Sequence, residues 1–151
     1  MGVSLLLNYG VIPFFISQIP NGELPITDER MTRFMITLEE GVKLVWHAFG
    51  DMVGGEVYVK KIPSMKVTDL ARVVAPEAKQ EVIGIRPGEK LHEQMIGIED
   101  APFTYEYSEH FKILPAINGW FETTSRIKDG KLVADDFVYA SDTNSDWMQV
   151  S

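Results

Sequence analysis

The stretch Thr37-Leu-Glu-Glu-Gly-Val-Lys-Leu-Val-Trp-His-Ala-Phe-Gly-Asp-Met-Val-Gly-Gly55 runs directly into Glu56-Val-Tyr-Val-Lys60. A helical period therefore gives way to a strand period across two glycines. Thr37 and Glu40 form a Thr-x-x-Glu capping pattern, and Glu39 with Lys43 is an i,i+4 ion pair. Leu38, Val42, Val45 and Phe49 keep one face apolar, and the helix should end before Gly54-Gly55.

The same alternation extends outward. Residues 11–19 suit a short helix entered through Pro13, and Asn21-Gly22 marks a turn. Glu23–Thr27 and Arg33–Ile36 are extended pieces. A second helix covers about Val67 to Ala75, with Leu70, Val73 and Val74 inward and Pro76 stopping it. Glu81–Ile85 is a strand running into Arg86-Pro-Gly-Glu-Lys90, and 90–96 is expected to be helical. Tyr105–Tyr107, Phe111–Leu114 and Phe137–Tyr139 alternate as short strands, and Asn118–Asp136 is polar and loop-like. The fold class is α/β leaning to α+β, a small mixed sheet with flanking helices. Residues 1–10 form an N-terminal segment of their own character, and 11–151 are expected to make one domain.

The chain has 151 residues, 45% hydrophobic and 24% charged, enough for a folded core and too short for a complete dinucleotide-binding sheet plus a substrate domain. It lacks cysteine, which excludes disulfides, thiolate metal sites and cysteine nucleophiles. The net charge of -8 argues against nucleic acid as a partner. That charge is uneven: residues 30–90 carry ten basic and eight acidic residues, leaving room for a small anion in the middle third. The N-terminus has no basic region ahead of Leu5, Leu6 and Leu7, and no run reaches the ~20 apolar residues of a membrane span, so a cytoplasmic protein is expected.

Catalytic motifs are missing. There is no G-x-G-x-x-G, no P-loop and no G-x-S-x-G elbow, and no tyrosine is followed four residues later by lysine. His47, His92 and His110 lack ligand spacing. What remains is anion recognition. Arg86 leaves a strand through a proline-glycine turn, and Arg33 opens another strand. Two arginines can hold a diphosphate bidentately; alternatively both pair with Asp28, Glu29 or Glu89.

Four ordered blocks carry a resemblance: Val11-Ile-Pro-Phe-Phe15, Leu24-Pro-Ile-Thr-Asp-Glu-Arg-Met-Thr-Arg-Phe34, Lys61-Ile-Pro-Ser-Met-Lys66 with Thr68-Asp-Leu-Ala71, and Ile83-Gly-Ile-Arg-Pro-Gly-Glu-Lys-Leu-His-Glu93. Together they resemble the C-terminal, substrate-binding part of the inverting UDP-N-acetylglucosamine 4,6-dehydratases, extended short-chain dehydrogenase/reductase enzymes. The resemblance implies that NAD or NADP and the catalytic residues belong to an N-terminal Rossmann domain that this chain lacks. It implies no cofactor and no catalysis in this chain alone.

By the same resemblance Arg33 and Arg86 would grip the diphosphate or nucleotide, and Glu89 would accept from the nucleotide or fix its arginine neighbours. Val11, Ile12 and Pro13 would lie along the uracil, and Met31 near the sugar nucleotide. The implied partners are a UDP-sugar, a separately encoded Rossmann chain and a second copy in a homodimer. The alternative function is a non-catalytic, homo-oligomeric interaction protein. Departures from the family pattern are Ser4–Gly10 before the first block, Lys60 where proline is expected, and an end soon after Trp147 where the family continues into a helix.

Overall fold

A computed structural model of the chain describes residues 11–116 and 124–150. The expectations for residues 1–10 and for part of 118–136 lie outside these described residues. Two compact units are formed, one from Met1–Leu38, Ile62–Glu93 and Ser141–Ser151, the other from Glu39–Lys61 and Gln94–Ala140.

In the first unit, helix α1 (Val11–Gln18) and a 3-10 turn at Ile19–Asn21 end at Gly22. Gly22 takes φ 71°, a left-handed conformation open to glycine, and its N–H donates to the Ile19 carbonyl at 3.0 Å. Strand β1 (Glu23–Ile26) follows, then β2 (Thr32–Phe34). Alternation sends Leu24 and Ile26 fully inward. Further along the chain come helix α2 (Leu38–Asp51), β3 (Val57–Lys60), β4 (Ser64–Lys66), α3 (Val67–Val74) and β5 (Lys79–Val82).

Strand β1 pairs in parallel with β5, Glu23 opposite Lys79 through Ile26 opposite Val82, and β2 pairs antiparallel with β4. Helix α3 buries Val67, Leu70 and Ala71, spaced three and four apart, against Phe15, Leu24, Ile26, Met31 and Met65. Each large apolar side chain fully buried here contributes roughly 1.5–3 kcal/mol, and Leu24→Ala would cost about 2–5 kcal/mol. Val73 is 56% exposed, against the expectation that it faces inward. The eight-residue helix has one buried stripe, and position 73 falls outside it.

The second unit is organised on an antiparallel sheet in the order β3-β8-β7-β9, with β7 at Thr104–Glu106, β8 at His110–Ile113 and β9 at Lys131–Leu132. A separate pair joins β6 (Gln94–Ile96) to β10 (Tyr139–Ala140), and a short helix α4 spans Thr124–Ile127. Phe111 sits 5.1 Å, ring centre to ring centre, from both Phe137 and Tyr139. The mixed α/β class is therefore as expected, distributed among the described residues over four small sheets rather than one.

Two local expectations change. The strand expected at Glu81–Ile85 begins earlier, at Lys79, because β1 sets its register; only Ile83 continues it, donating to the Ile26 carbonyl at 2.8 Å. Residues 90–96 are not helical. The Lys90 and Leu91 carbonyls are taken by Arg33, the Leu91 carbonyl also accepts from Thr32 N–H at 3.1 Å, and Gln94–Ile96 pairs with β10. Carbonyls committed to distant partners cannot close an i to i+4 ladder.

Candidate functional site

Arg86-Pro87-Gly88-Glu89 folds as a tight turn. The Glu89 N–H donates to the Arg86 carbonyl at 3.1 Å, and Gly88 has φ 86°. Proline second and a positive-φ glycine third are the signature of a type II turn. The Glu89 carboxylate then accepts from the Arg86 N–H at 3.1 Å, closing the turn from its other side. Every residue from Glu81 to Lys90 is exposed. The Arg86 guanidinium makes no hydrogen bond or ion pair with the described residues.

Arg33 is engaged in a different way. Its Nη1 donates to the Thr32 carbonyl at 2.7 Å and the Leu91 carbonyl at 3.2 Å, and its Nη2 donates to the Lys90 carbonyl at 3.0 Å. Its Nε faces Glu93 Oε1 at 3.4 Å. Burial lowers the basicity of this guanidinium, opposed by the charges of Glu93 and Glu89. Of five N–H donors, one on Nη2 remains for a ligand. The alternative pairing expected with Asp28 is made by Arg30 instead, at 2.8 Å.

These groups border one cavity of about 320 Å³ in the first unit. Val11, Met31, Arg33, Arg86 and Glu89 all line it, while Ile12 and Pro13 do not. Phe15, Met31 and Val67 supply buried apolar wall, and Arg86 and Arg33 supply positive charge. The site is therefore an apolar slot with cations at its edge, suited to a ligand with a flat or aliphatic part and an anionic part.

Beneath β2 runs a buried hydroxyl relay that the sequence did not announce. Thr32 Oγ1 lies 2.8 Å from His92 Nδ1 and 2.6 Å from Ser141 Oγ, which accepts from the Glu93 N–H at 2.9 Å. Ser141 is fully buried. This relay pins residues 91–93 and has no solvent-facing nucleophile.

The second unit has a larger cavity of about 480 Å³ beside His47, Lys60, Glu109 and His110. Its cations are already used: Lys60 pairs with Glu109 at 3.1 Å and Lys43 with Glu39 at 2.7 Å. Size alone would select this cavity; unengaged charge selects the other.

A buried ionic cluster in the second unit also went unforeseen. Lys112, 2% exposed, is ion-paired with Asp51, donates to the Arg126 carbonyl at 2.9 Å and lies over the Tyr58 and Tyr107 rings. Burial pushes the Asp51 carboxyl up, but hydrogen bonds from Lys112, Lys128 and Tyr58 outweigh it and hold the group well below the carboxylate range. Burial pushes the Tyr107 hydroxyl up to about 12. Nothing in the alternation of β8 marks a lysine as inward-facing, so only the folded chain reveals the cluster.

Among the described residues the one parallel strand pair, β1 with β5, leads into a turn and into the exposed 83–90 segment. Neither strand feeds a helix whose first N–H groups could receive a pyrophosphate. Among the described residues no group of three or more histidines and acids could hold a metal, and no helix is long and apolar enough to cross a membrane.

Residues 5–115 match the family model described as polysaccharide biosynthesis protein. Over 144 residues the chain is 49% identical to the UDP-N-acetylglucosamine 4,6-dehydratase (inverting) of Campylobacter jejuni subsp. jejuni serotype O:2, covering 91% of this chain and 43% of that protein. It is 36% identical over 108 residues to the UDP-glucose 4-epimerase of Rickettsia canadensis, covering 68% of this chain and 32% of that one. Among solved structures, Pen from Bacillus thuringiensis superposes with a TM-score of 0.75 at 28% identity, over 93% of this chain and 42% of the other. The chain thus spans less than half the length of these relatives, and the resemblance carried by its four sequence blocks is borne out.

Proposed function

The chain belongs to the polysaccharide biosynthesis protein family, and from that premise we propose that its first unit binds the nucleoside diphosphate of a UDP-sugar. The carrying observation is that Val11, Met31, Arg33, Arg86 and Glu89, spread over 79 residues of sequence, border a single cavity. The two relatives named for reactions, a 4,6-dehydratase and a 4-epimerase, have a UDP-sugar in common and differ in chemistry. A shared substrate class with divergent reactions favours a recognition role for the part they share.

In this reading Arg86, whose guanidinium is unengaged among the described residues, meets the diphosphate, with charge-assisted hydrogen bonds stronger than neutral ones. Arg33 adds one N–H and its charge while holding the segment that carries Arg86. The apolar wall at Val11, Phe15 and Met31 takes the base and sugar.

The 4,6-dehydration of UDP-N-acetylglucosamine would then draw its NAD(P) chemistry from a Rossmann domain of the family and not from the described residues. The cytoplasmic location expected from the sequence accompanies that role. Calorimetry with UDP tests the binding step. Wild-type protein should give saturable heat at sub-millimolar to millimolar ligand, reduced about tenfold in affinity by Arg86→Ala, roughly 1.4 kcal/mol. Absence of heat at millimolar UDP, or affinity untouched by that substitution, would overturn the reading. That division of labour is tested by mixing the chain with a Rossmann-domain polypeptide of the family, UDP-N-acetylglucosamine and NADP and assaying for the 4-keto product.

A further inference from the structure

Strand β2 grips one segment of chain from both of its faces. Thr32 and Arg33 are neighbours on it, so their side chains leave on opposite sides. Arg33 reaches the Lys90 and Leu91 carbonyls and, through Nε, Glu93 Oε1 at 3.4 Å. Thr32 Oγ1 reaches His92 Nδ1 at 2.8 Å, and through Ser141 Oγ at 2.6 Å it connects to the Glu93 N–H. Residues 90–93 are thereby held at consecutive positions, and they follow directly on Glu89 of the cavity rim.

Counting donors and acceptors fixes the hydrogens along this relay. Ser141 Oγ already accepts the Glu93 N–H at 2.9 Å, and Ser141 is fully buried. Its own hydrogen therefore has one acceptor among the described residues, Thr32 Oγ1. Thr32, also buried, must then send its hydrogen to its other neighbour, His92 Nδ1. A ring nitrogen that accepts carries no hydrogen, so the neutral imidazole has its proton on Nε2. Asp142 Oδ2, 3.9 Å from that nitrogen, favours a proton there. With the proton on Nδ1 instead, Thr32 would have to donate to Ser141. The Ser141 hydrogen would then be buried without an acceptor, the costly case for a polar group.

We infer that Thr32, Ser141 and His92 are positioning residues for the nucleotide site, forming a relay of fixed polarity that locks His92 in its Nε2–H form and sets residues 90–93 where Arg33 and the Arg86–Glu89 turn border the cavity. None of the three lines the cavity, so they act through the residues that do. Their role rests on the UDP-sugar reading of that cavity, whereas the relay is measurable without any ligand.

Long-range proton–nitrogen correlation spectra of the 151-residue chain at about pH 8.5, above the ordinary ~6.5 of histidine, read the tautomer. Calorimetry with UDP reads the site. In the wild type His92 should show a pyridine-like Nδ1 and a pyrrole-like Nε2. Thr32→Val keeps the branched shape but removes the hydroxyl, so the two tautomers should mix and UDP affinity should fall about fivefold. Thr32→Ser restores the hydroxyl without the methyl and should recover both the tautomer and the affinity, a rescue that a packing role would not give. Ser141→Ala should leave the Nε2–H form in place, because Thr32 still donates to His92, while the Glu93 amide exchanges hydrogen faster. A wild-type His92 protonated on Nδ1, Thr32→Val binding UDP as tightly as wild type, or a loss that Thr32→Ser fails to recover would each sink the inference. If the wild type gives no heat with UDP, the UDP-sugar reading and the relay's role in it fall together, and the tautomer with its response to Thr32→Val still decides whether the relay exists.

Discussion

Arg33 Nη2 donates to the carbonyl of Lys90 at 3.0 Å, joining strand β2 to the far end of the segment that carries Arg86. With the Nη1 bond to Leu91 at 3.2 Å, this makes Arg33 a positioning residue for the cavity rim more than a free hand for a ligand. Arg33→Lys keeps the charge but cannot reproduce a planar fork reaching three carbonyls. Amides of residues 86–92 should then exchange hydrogen faster, and UDP affinity should fall about tenfold, roughly 1.4 kcal/mol. Hydrogen exchange read by mass spectrometry checks this, and unchanged protection at 86–92 would count against the positioning role.

Gly88 has φ 86° and open space where a Cβ would stand. Gly88→Ala therefore meets no clash, and its cost is the left-handed backbone alone, about 1–2 kcal/mol. The substitution should shift the turn equilibrium away from the closed Arg86–Glu89 geometry. UDP binding measured by calorimetry should weaken, while the unfolding midpoint of the rest of the chain moves little.

His110 is buried between Tyr107, stacked at 4.6 Å, and His47, also at 4.6 Å, and its Nε2 has no hydrogen-bond partner among the described residues. Burial first, then the nearby His47 and Lys112, lowers its pKa to about 4. Between that value and the ordinary ~6.5 of an unfolded histidine, the unfolded chain binds more protons than the folded one. Stability therefore rises with pH through this window, is fully present above it and is lost as pH falls toward 4. Urea unfolding midpoints from pH 7 to pH 4.5 should fall steadily in the wild type. In His110→Phe the part of that slope between pH 6.5 and 4.5 should flatten.

Asp51 and Glu56 act below that range. Both carboxyls are held down despite burial, Asp51 by Lys112, Lys128 and Tyr58, Glu56 by the N–H groups of Gly54 and Val53 and by Arg126. Their stabilisation is present above about pH 4 and disappears as acid protonates them in the folded state. Removing one partner leaves an uncompensated buried charge, so Lys112→Ala should cost about 3–5 kcal/mol. The double variant Asp51→Asn with Lys112→Met should recover part of that loss. Urea denaturation of the single and double variants checks both statements.

Much of the local structure was legible in the residues. Asn21-Gly22 and Pro76 mark helix ends through left-handed or rigid backbone, Pro13 sits in the first turn of α1, and Glu39 with Lys43 forms its expected pair at 2.7 Å. The misreadings share a cause. Residues 90–96 carry a weak helical pattern, yet their carbonyls are claimed by Arg33 and Thr32, about 58 residues away in sequence. Strand β5 starts two residues early because β1 dictates its register.

Composition and pattern pointed to the α/β class and the missing dinucleotide motif, and the family resemblance named five of the eleven residues that line the cavity, because turn chemistry and motif order are properties of neighbouring residues. Tertiary structure decided the rest. It committed Arg33 to backbone carbonyls and left Arg86 open, buried Lys112 beside Asp51, and turned the apolar Val42–Phe49 face of α2 outward. Those outcomes depend on which groups from distant segments meet and compete for the same partner, and helical or strand periodicity carries no information about that.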